Sequence, residues 1–112
     1  MSPITTHILD TSLGRPAAGV RVVLERHHGG AFTEVATGIT DADGRVRDLL
    51  APGALTRGVW RLVFETGPYF AARGVAAFYP MVPVVFEVTA PGEHHHVPLL
   101  LNPFGYATYR GS

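Results

Sequence analysis

The chain has 112 residues, 46% of them apolar and 16% charged, and its nine basic and nine acidic residues cancel to zero net charge. This length predicts one domain over residues 1–112, and the balanced charge argues against a nucleic-acid-binding surface. The absence of cysteine excludes disulfide scaffolds, thiolate metal sites and cysteine nucleophiles.

The distribution of apolar residues argues against a membrane protein. No apolar run approaches the roughly 20 residues that a membrane-spanning helix needs. The N-terminal segment MSPITTHILD lacks the charged and apolar regions of a secretory signal, so we expect a cytoplasmic protein. The charged fraction is low for so small a chain, which indicates that part of its apolar surface is buried against other subunits.

Short strands are the dominant predicted element. Thirteen glycines and nine prolines separate runs rich in Val, Thr, Phe, Tyr and Leu, which is typical of an all-β sandwich or barrel. Eight strands are predicted, over residues 6–11, 20–26, 31–40, 45–50, 58–66, 81–88, 94–101 and 107–111. Turns are predicted at HHGG (27–30) and DADG (41–44), and a loop at 12–19. Pro83 predicts that its strand lies at a sheet edge.

One segment favours a helix instead of a strand. Residues 69–73 combine good helix formers with a preceding proline and a following glycine. We therefore predict a single short helix there.

The histidines are the first candidates for chemistry, because a histidine that titrates near neutrality can act as a general acid or base. Side chains alternate along a strand, so His94 and His96 are predicted on one face and His95 on the other. His7 shares the face of Thr5 and Leu9. The competing interpretation is that these are ordinary surface or partly buried strand residues, and it is strongest for His27 and His28.

A metal site is a weaker alternative. His94, His96 and His7 have residue types that can form a three-histidine zinc site, but such spacing is common. The DADG segment resembles the start of a calcium loop, yet Pro52 stands where the closing glutamate would be. We therefore predict no metal and no cofactor.

Arginine and serine complete the candidates. Arg45 follows the DADG turn, and Arg110 lies near the C-terminus; a guanidinium presents a planar fork of donors to a carbonyl or carboxylate. Ser112 offers a hydroxyl, but no Gly-x-Ser-x-Gly segment indicates a hydrolase-fold nucleophile. The residues alone thus predict an all-β domain with possible histidine and arginine acid–base chemistry.

Five segments, in order along the chain, resemble the transthyretin-related family of 5-hydroxyisourate hydrolases. They are HILDTSLGRPA, TDADGR, TGPYFAARGVAAFYP, HHHVPLLL and the terminal YRGS. The terminal tetrapeptide is the most specific, since transthyretins share the first block but lack this ending.

The resemblance implies a fold, an assembly and a reaction. The fold is a transthyretin-like sandwich of two four-stranded antiparallel sheets with one short helix. The assembly is a homotetramer, a dimer of dimers, with the C-terminal strand lining an active-site channel between the dimers. The reaction is the hydrolysis of 5-hydroxyisourate to 2-oxo-4-hydroxy-4-carboxy-5-ureidoimidazoline in urate degradation, without a cofactor.

The resemblance also assigns roles to individual residues. It implies that His7, Arg45, His96 and Ser112 are catalytic, and that His7, Arg45, Tyr109 and Ser112 bind the substrate. Arg110 and Gly111 belong to the terminal motif, where Arg110 is expected to be structural. His95 stands where the family commonly has tyrosine. Either His7 or His96 would activate water, Arg45 would stabilise the oxyanion, and Ser112 would position water or substrate.

Two alternatives come from other functional classes. One is a transthyretin-like carrier of small aromatic ligands that has no catalytic activity. The other is a zinc hydrolase that uses His94 and His96.

Overall fold

Alternating burial along the strands builds two sheets that face each other across a shared core. The computed structural model describes residues 2–112. Its elements are β1 (Ile4–Asp10), β2 (Arg15–Pro16), β3 (Arg21–His28), β4 (Ala31–Ile39), β5 (Arg45–Val46), β6 (Gly58–Phe64), α1 (Thr66–Ala71), β7 (Val82–Val88), β8 (His95–Asn102) and β9 (Gly105–Thr108). The all-β sandwich with one short helix is confirmed.

The first sheet carries the candidate site. Its strands run in the order β2-β1-β8-β9, and β5 also pairs with β1. β1 and β8 are parallel, whereas the other pairs in this sheet are antiparallel. The sheet is therefore mixed and has five strands, which corrects the expected four-stranded antiparallel arrangement. The added strand, β2, is a two-residue pairing with the end of β1 inside the predicted loop.

The second sheet has four antiparallel strands in the order β4-β3-β6-β7. β7 lies at its edge, as Pro83 predicted, because proline cannot donate a ladder hydrogen bond. The inner faces of the two sheets supply a core of fully buried side chains that includes Ile8, Leu24, Leu62, Phe64 and Leu99. Burial of these side chains holds the sheets face to face and fixes which residues point outwards.

Several element boundaries differ from the predicted ones. The last strand, β9, covers Gly105–Thr108 instead of residues 107–111. The helix begins three residues earlier than predicted, at Thr66. The strand predicted over residues 45–50 is only two residues long, because Leu49 turns into the core instead of continuing the ladder. β3 extends to His28, which leaves Gly29 and Gly30 to make the turn with positive φ. In residues 2–112, no helix has the length and apolar character needed to cross a membrane.

Candidate active site

Strand pairing places two histidines side by side on the outer face of the first sheet. Thr5 and His7 alternate with buried Ile4, Thr6 and Ile8, so both point away from the core. In β8, His96 is half-buried on the same outer face, while His95 is buried on the inner face with Val97 and Leu99. The predicted division of the three histidines between two faces is confirmed.

The register of the strands sets which residues are neighbours. His7 pairs with Arg45 of β5 on one side, and Thr5 pairs with His96 of β8 on the other. His96 in turn forms a bridge with Gly111. The sequence positions 5–7, 45, 96 and 111 therefore meet on one surface, although they are far apart in the chain.

A tight turn aims Arg45 at this surface. Gly44 has a φ of +74°, which glycine adopts without the strain that a side chain would bring. The Gly44 carbonyl accepts a hydrogen bond of 2.8 Å from the Ile8 N–H, and the Arg45 N–H donates to the Asp41 carboxylate at 3.0 Å. That last contact lowers the pKa of Asp41. The turn is thus fixed both to β1 and internally.

The guanidinium of Arg45 is free to meet a ligand. Within residues 2–112, Arg45 makes no ion pair, whereas Arg47 pairs with Asp41 at 2.8 Å and with Asp43 at 3.6 Å. A half-buried arginine without a carboxylate partner keeps all five N–H donors for a substrate. This separates Arg45 from the structural arginines of the chain.

Both candidate histidines favour the neutral form. Burial lowers the pKa of His7 below 6.5, and the charge of Arg45 adds to the effect, against the opposing influence of Asp41 and Asp43. Burial also lowers the pKa of His96, with further contributions from Arg45, His7 and His94. A neutral imidazole at pH 7 has a free lone pair, which is the state that a general base requires.

The side chains of His96 and Arg45 border an open cleft of about 500 Å³. The residues that line it are Thr5, Thr6, Arg45, Arg47, His94, His96 and Ser112. This volume lies within the usual range for small-molecule sites. His7 is not one of the lining residues, but it is the strand-pairing partner of Arg45, which does line the cleft. Arg47 and Thr5 were not predicted as site residues.

The C-terminal segment closes one side of the cleft. The Gly111 N–H donates to the His96 carbonyl at 2.8 Å. A Cβ at Gly111 would lie 2.6 Å from Cδ2 of His96 and 3.2 Å from Cγ of Pro98, so only glycine lets the backbone pass this close to the ring. Ser112 follows directly and reaches the cleft.

Two residues of the terminal motif do not line this cleft. Tyr109 and Arg110 border a second cleft with His95 and β7. Arg110 also forms an exposed ion pair with Glu93 at 3.1 Å, and its structural role stays a prediction. Substrate contact by Tyr109 stays a prediction.

Thr5 makes contacts with two histidines that the sequence did not predict. Its Oγ1 lies 2.9 Å from Nε2 of His94 and 2.8 Å from Nδ1 of His96. Alternation already placed Thr5 on the face of His7, but only the pairing of β1 with β8 brings it to the two histidines. Among residues 2–112, no three histidine, aspartate or glutamate side chains are grouped to hold a metal ion. His7, His94 and His96 therefore do not form the three-histidine site considered above.

Comparisons with known proteins identify the family of this chain. A profile of the HIUase/Transthyretin family matches residues 4–111. The chain belongs to this family. It is 46% identical to the 5-hydroxyisourate hydrolase of Salmonella dublin over 97% of this chain and 80% of that protein.

Solved structures of two kinds share the fold. The 5-hydroxyisourate hydrolase of Klebsiella pneumoniae superposes with a TM-score of 0.84 at 38% identity, covering 97% of this chain and 98% of that one. Sea bream transthyretin, in complex with thyroxine, superposes with a TM-score of 0.92 at 34% identity, covering 98% and 95%. The fold is therefore shared with a hydrolase and with a transthyretin that binds thyroxine, so the fold by itself does not distinguish between these two functions.

Proposed function

We propose that this protein hydrolyses 5-hydroxyisourate, and that residues 1–112 form one hydrolase domain. The observation that carries the proposal is the meeting of two histidines with lowered pKa and one unpaired arginine on a single surface beside the cleft. A carrier of aromatic ligands has no evident need for this set. Structural superposition gives 38% identity to the Klebsiella hydrolase and 34% to sea bream transthyretin, which supports the same conclusion.

The reaction opens a cyclic amide by adding water. A neutral histidine, His7 or His96, removes a proton as the water oxygen attacks the carbonyl carbon. The C–N bond then breaks, and the leaving nitrogen takes its proton from the imidazolium. The carbonyl carbon becomes a carboxylic acid, which releases its proton to solvent and forms the carboxylate. General acid–base help of this kind is typically worth about 10²–10⁴-fold in rate.

Arg45 would stabilise the oxyanion that forms at the attacked carbonyl. Its backbone is held in place before substrate arrives, because the 41–44 turn is anchored to β1. Loss of one preorganised donor typically costs about 10²–10³-fold in kcat. The Ser112 hydroxyl would hold the water or a polar edge of the substrate.

The working form would be a homotetramer, a dimer of dimers, in which a second subunit covers the open side of the cleft. Edge strands β7 and β9 expose apolar side chains to solvent: Val85 is 58% exposed and Tyr106 is 40% exposed. Exposed apolar patches of this kind mark protein–protein contact sites. Light scattering on the purified protein would measure the mass of the assembly directly.

An ultraviolet time course tests the function. 5-Hydroxyisourate is generated from urate with a urate oxidase, and the protein is added in the presence of a chelator. We expect the absorbance of the intermediate to decay far faster than in the protein-free control. Arg45→Ala should lose at least 10²-fold of this rate, whereas Arg57→Ala, which removes an exposed guanidinium outside the cleft, should not.

Decay at the rate of the protein-free control would reject the enzyme and favour the carrier. The likeness to a thyroxine-bound transthyretin gives that alternative a defined test. Saturable binding of an aromatic ligand by a protein without hydrolytic activity would support it.

A further inference from the structure

The hydroxyl of Thr5 joins the two outward-facing histidines of β8 and its preceding loop. Its oxygen is within hydrogen-bond distance of both Nε2 of His94 and Nδ1 of His96. A hydroxyl has one proton to donate and two lone pairs to accept with. It therefore cannot satisfy two unprotonated nitrogens, and at least one of the two must carry a proton.

Two arrangements use every donor and acceptor among these three groups. In the first, His96 carries its proton on Nδ1 and donates it to Oγ1, and the Thr5 O–H donates to Nε2 of His94. In the second, Nε2 of His94 donates to Oγ1, and the Thr5 O–H donates to Nδ1 of His96. Only the first arrangement leaves the lone pair on Nε2 of a neutral His96 free, so only the first gives His96 a base on that nitrogen.

We propose that Thr5 is a positioning residue for the hydrolysis: its hydroxyl holds the Nδ1 proton of His96 and passes charge from His96 to His94. This inference rests on the proposed function. It assigns His96, with its free Nε2, as the nitrogen that removes the proton from water.

The proton movements balance over one turnover. Nε2 of His96 takes a proton from water, the Nδ1 proton moves to Thr5, and the Thr5 proton moves to Nε2 of His94. His96 is then neutral with its proton on Nε2, ready to protonate the leaving nitrogen. As it does so, the two transfers reverse and restore the starting state.

The charged groups around His96 explain why moving its positive charge to His94 would favour the reaction. His96 is half-buried and faces His7 from β1 and Arg45 from β5, while Arg47 and Ser112 line the same cleft. A positive charge on His96 is therefore repelled by the guanidinium of Arg45. His94 is exposed to solvent, where a charge costs less. The bridge lets the charge form at His96 and rest on the exposed His94.

Paired substitutions at Thr5 test the bridge. Thr5→Val keeps the shape and the β-branched strand preference but removes the hydroxyl, and Thr5→Ser keeps the hydroxyl. We expect Thr5→Val to lower kcat at least tenfold with KM within about threefold, and Thr5→Ser to recover most of the loss. Thr33→Val, a threonine-to-valine change on β4 of the other sheet, is the matched control.

A spectroscopic readout separates the bridge from simple packing. Long-range ¹H–¹⁵N spectra of histidine-labelled protein report which ring nitrogen carries the proton. We expect His96 in the wild type to be protonated on Nδ1 and its tautomer to change as His94 titrates. In Thr5→Val, the titration of His94 should no longer change the His96 tautomer.

Further outcomes decide the proposal. If both residues act through one bridge, adding His94→Phe to Thr5→Val should cost little beyond Thr5→Val alone. The proposal is overturned if Thr5→Val retains wild-type kcat, if Thr5→Ser is as impaired as Thr5→Val, or if His96 is protonated on Nε2 in the neutral wild type. A wild type without hydrolytic activity would reject the proposed function instead, while the spectra would still report on the bridge.

Discussion

Gly111 offers a sharp test of the site, because its backbone lies against the ring of a proposed catalytic histidine. A Cβ at this position would lie 2.6 Å from Cδ2 of His96. Ordinary carbon–carbon contacts are about 3.5–4.0 Å, so Gly111→Ala must move either the ring or the terminal segment by about 1 Å. The φ of Gly111 is not in the left-handed region, so the backbone itself tolerates alanine.

A displacement of this size should affect activity far more than stability. A 1 Å misplacement of a catalytic group can cost about 10²-fold in rate, and we expect kcat of Gly111→Ala to fall by about that factor. The segment lies at the sheet edge and contributes one bridging backbone hydrogen bond, from Gly111 to His96. Its loss costs about 1 kcal/mol, and the melting temperature should fall by no more than about 5 °C.

The assay compares Gly111→Ala with Gly92→Ala in the same ultraviolet time course and in thermal melts at one protein concentration. A Cβ at Gly92 meets nothing within 4 Å, so this variant is a matched glycine-to-alanine control. A Gly111→Ala variant that keeps at least half of the wild-type kcat would contradict this prediction. It would show that the terminal segment does not pack on His96 in the working protein.

Two further predictions concern titration and the core. Since burial and Arg45 lower the pKa of His7 and His96, the acid limb of kcat/KM should have its midpoint below pH 6.5, and a midpoint above 6.5 would contradict a neutral histidine base. These two groups contribute stability that is complete above pH 6.5 and is lost as the pH falls through their lower folded pKa values, which acid titration of unfolding would detect. Tyr69→Phe removes the 2.8 Å hydrogen bond from the Tyr69 hydroxyl to the buried Asp10 carboxylate and should lower the free energy of unfolding by about 1.5–3 kcal/mol. Because neither residue borders the cleft, kcat should not change in that variant, and a loss of activity at constant stability would argue against a purely structural role.

The local pattern of the sequence predicted much of the site. Strand alternation placed His94 and His96 on one face and His95 on the other, and the resemblance pointed to Arg45 and His7. Such features can be predicted because they are local: side chains two residues apart share a strand face, and the 41–44 turn contains its own glycine, Gly44. The short helix was found, but its first turn was missed because Thr66 is fully buried and Glu65 provides no side-chain cap.

The contacts of Thr5 with His94 and His96 could not be predicted from the sequence. They need the parallel pairing of β1 with β8, which puts residue 5 opposite residue 96. Nothing in the composition of either strand sets that register. The placement of Arg110 beside Glu93, away from the cleft, likewise follows from how the terminal segment crosses the sheet edge.

The sequence by itself determined the class of fold, the two faces of each strand and the kinds of side chain available for chemistry, because a strand's period of two is a local property. The tertiary structure alone decided which of these side chains meet. Burial of the inner faces fixes the register between strands, since a slip of one residue would turn the core side chains outwards. That register brings His7 to Arg45 and Thr5 to His96, and with them the candidate active site.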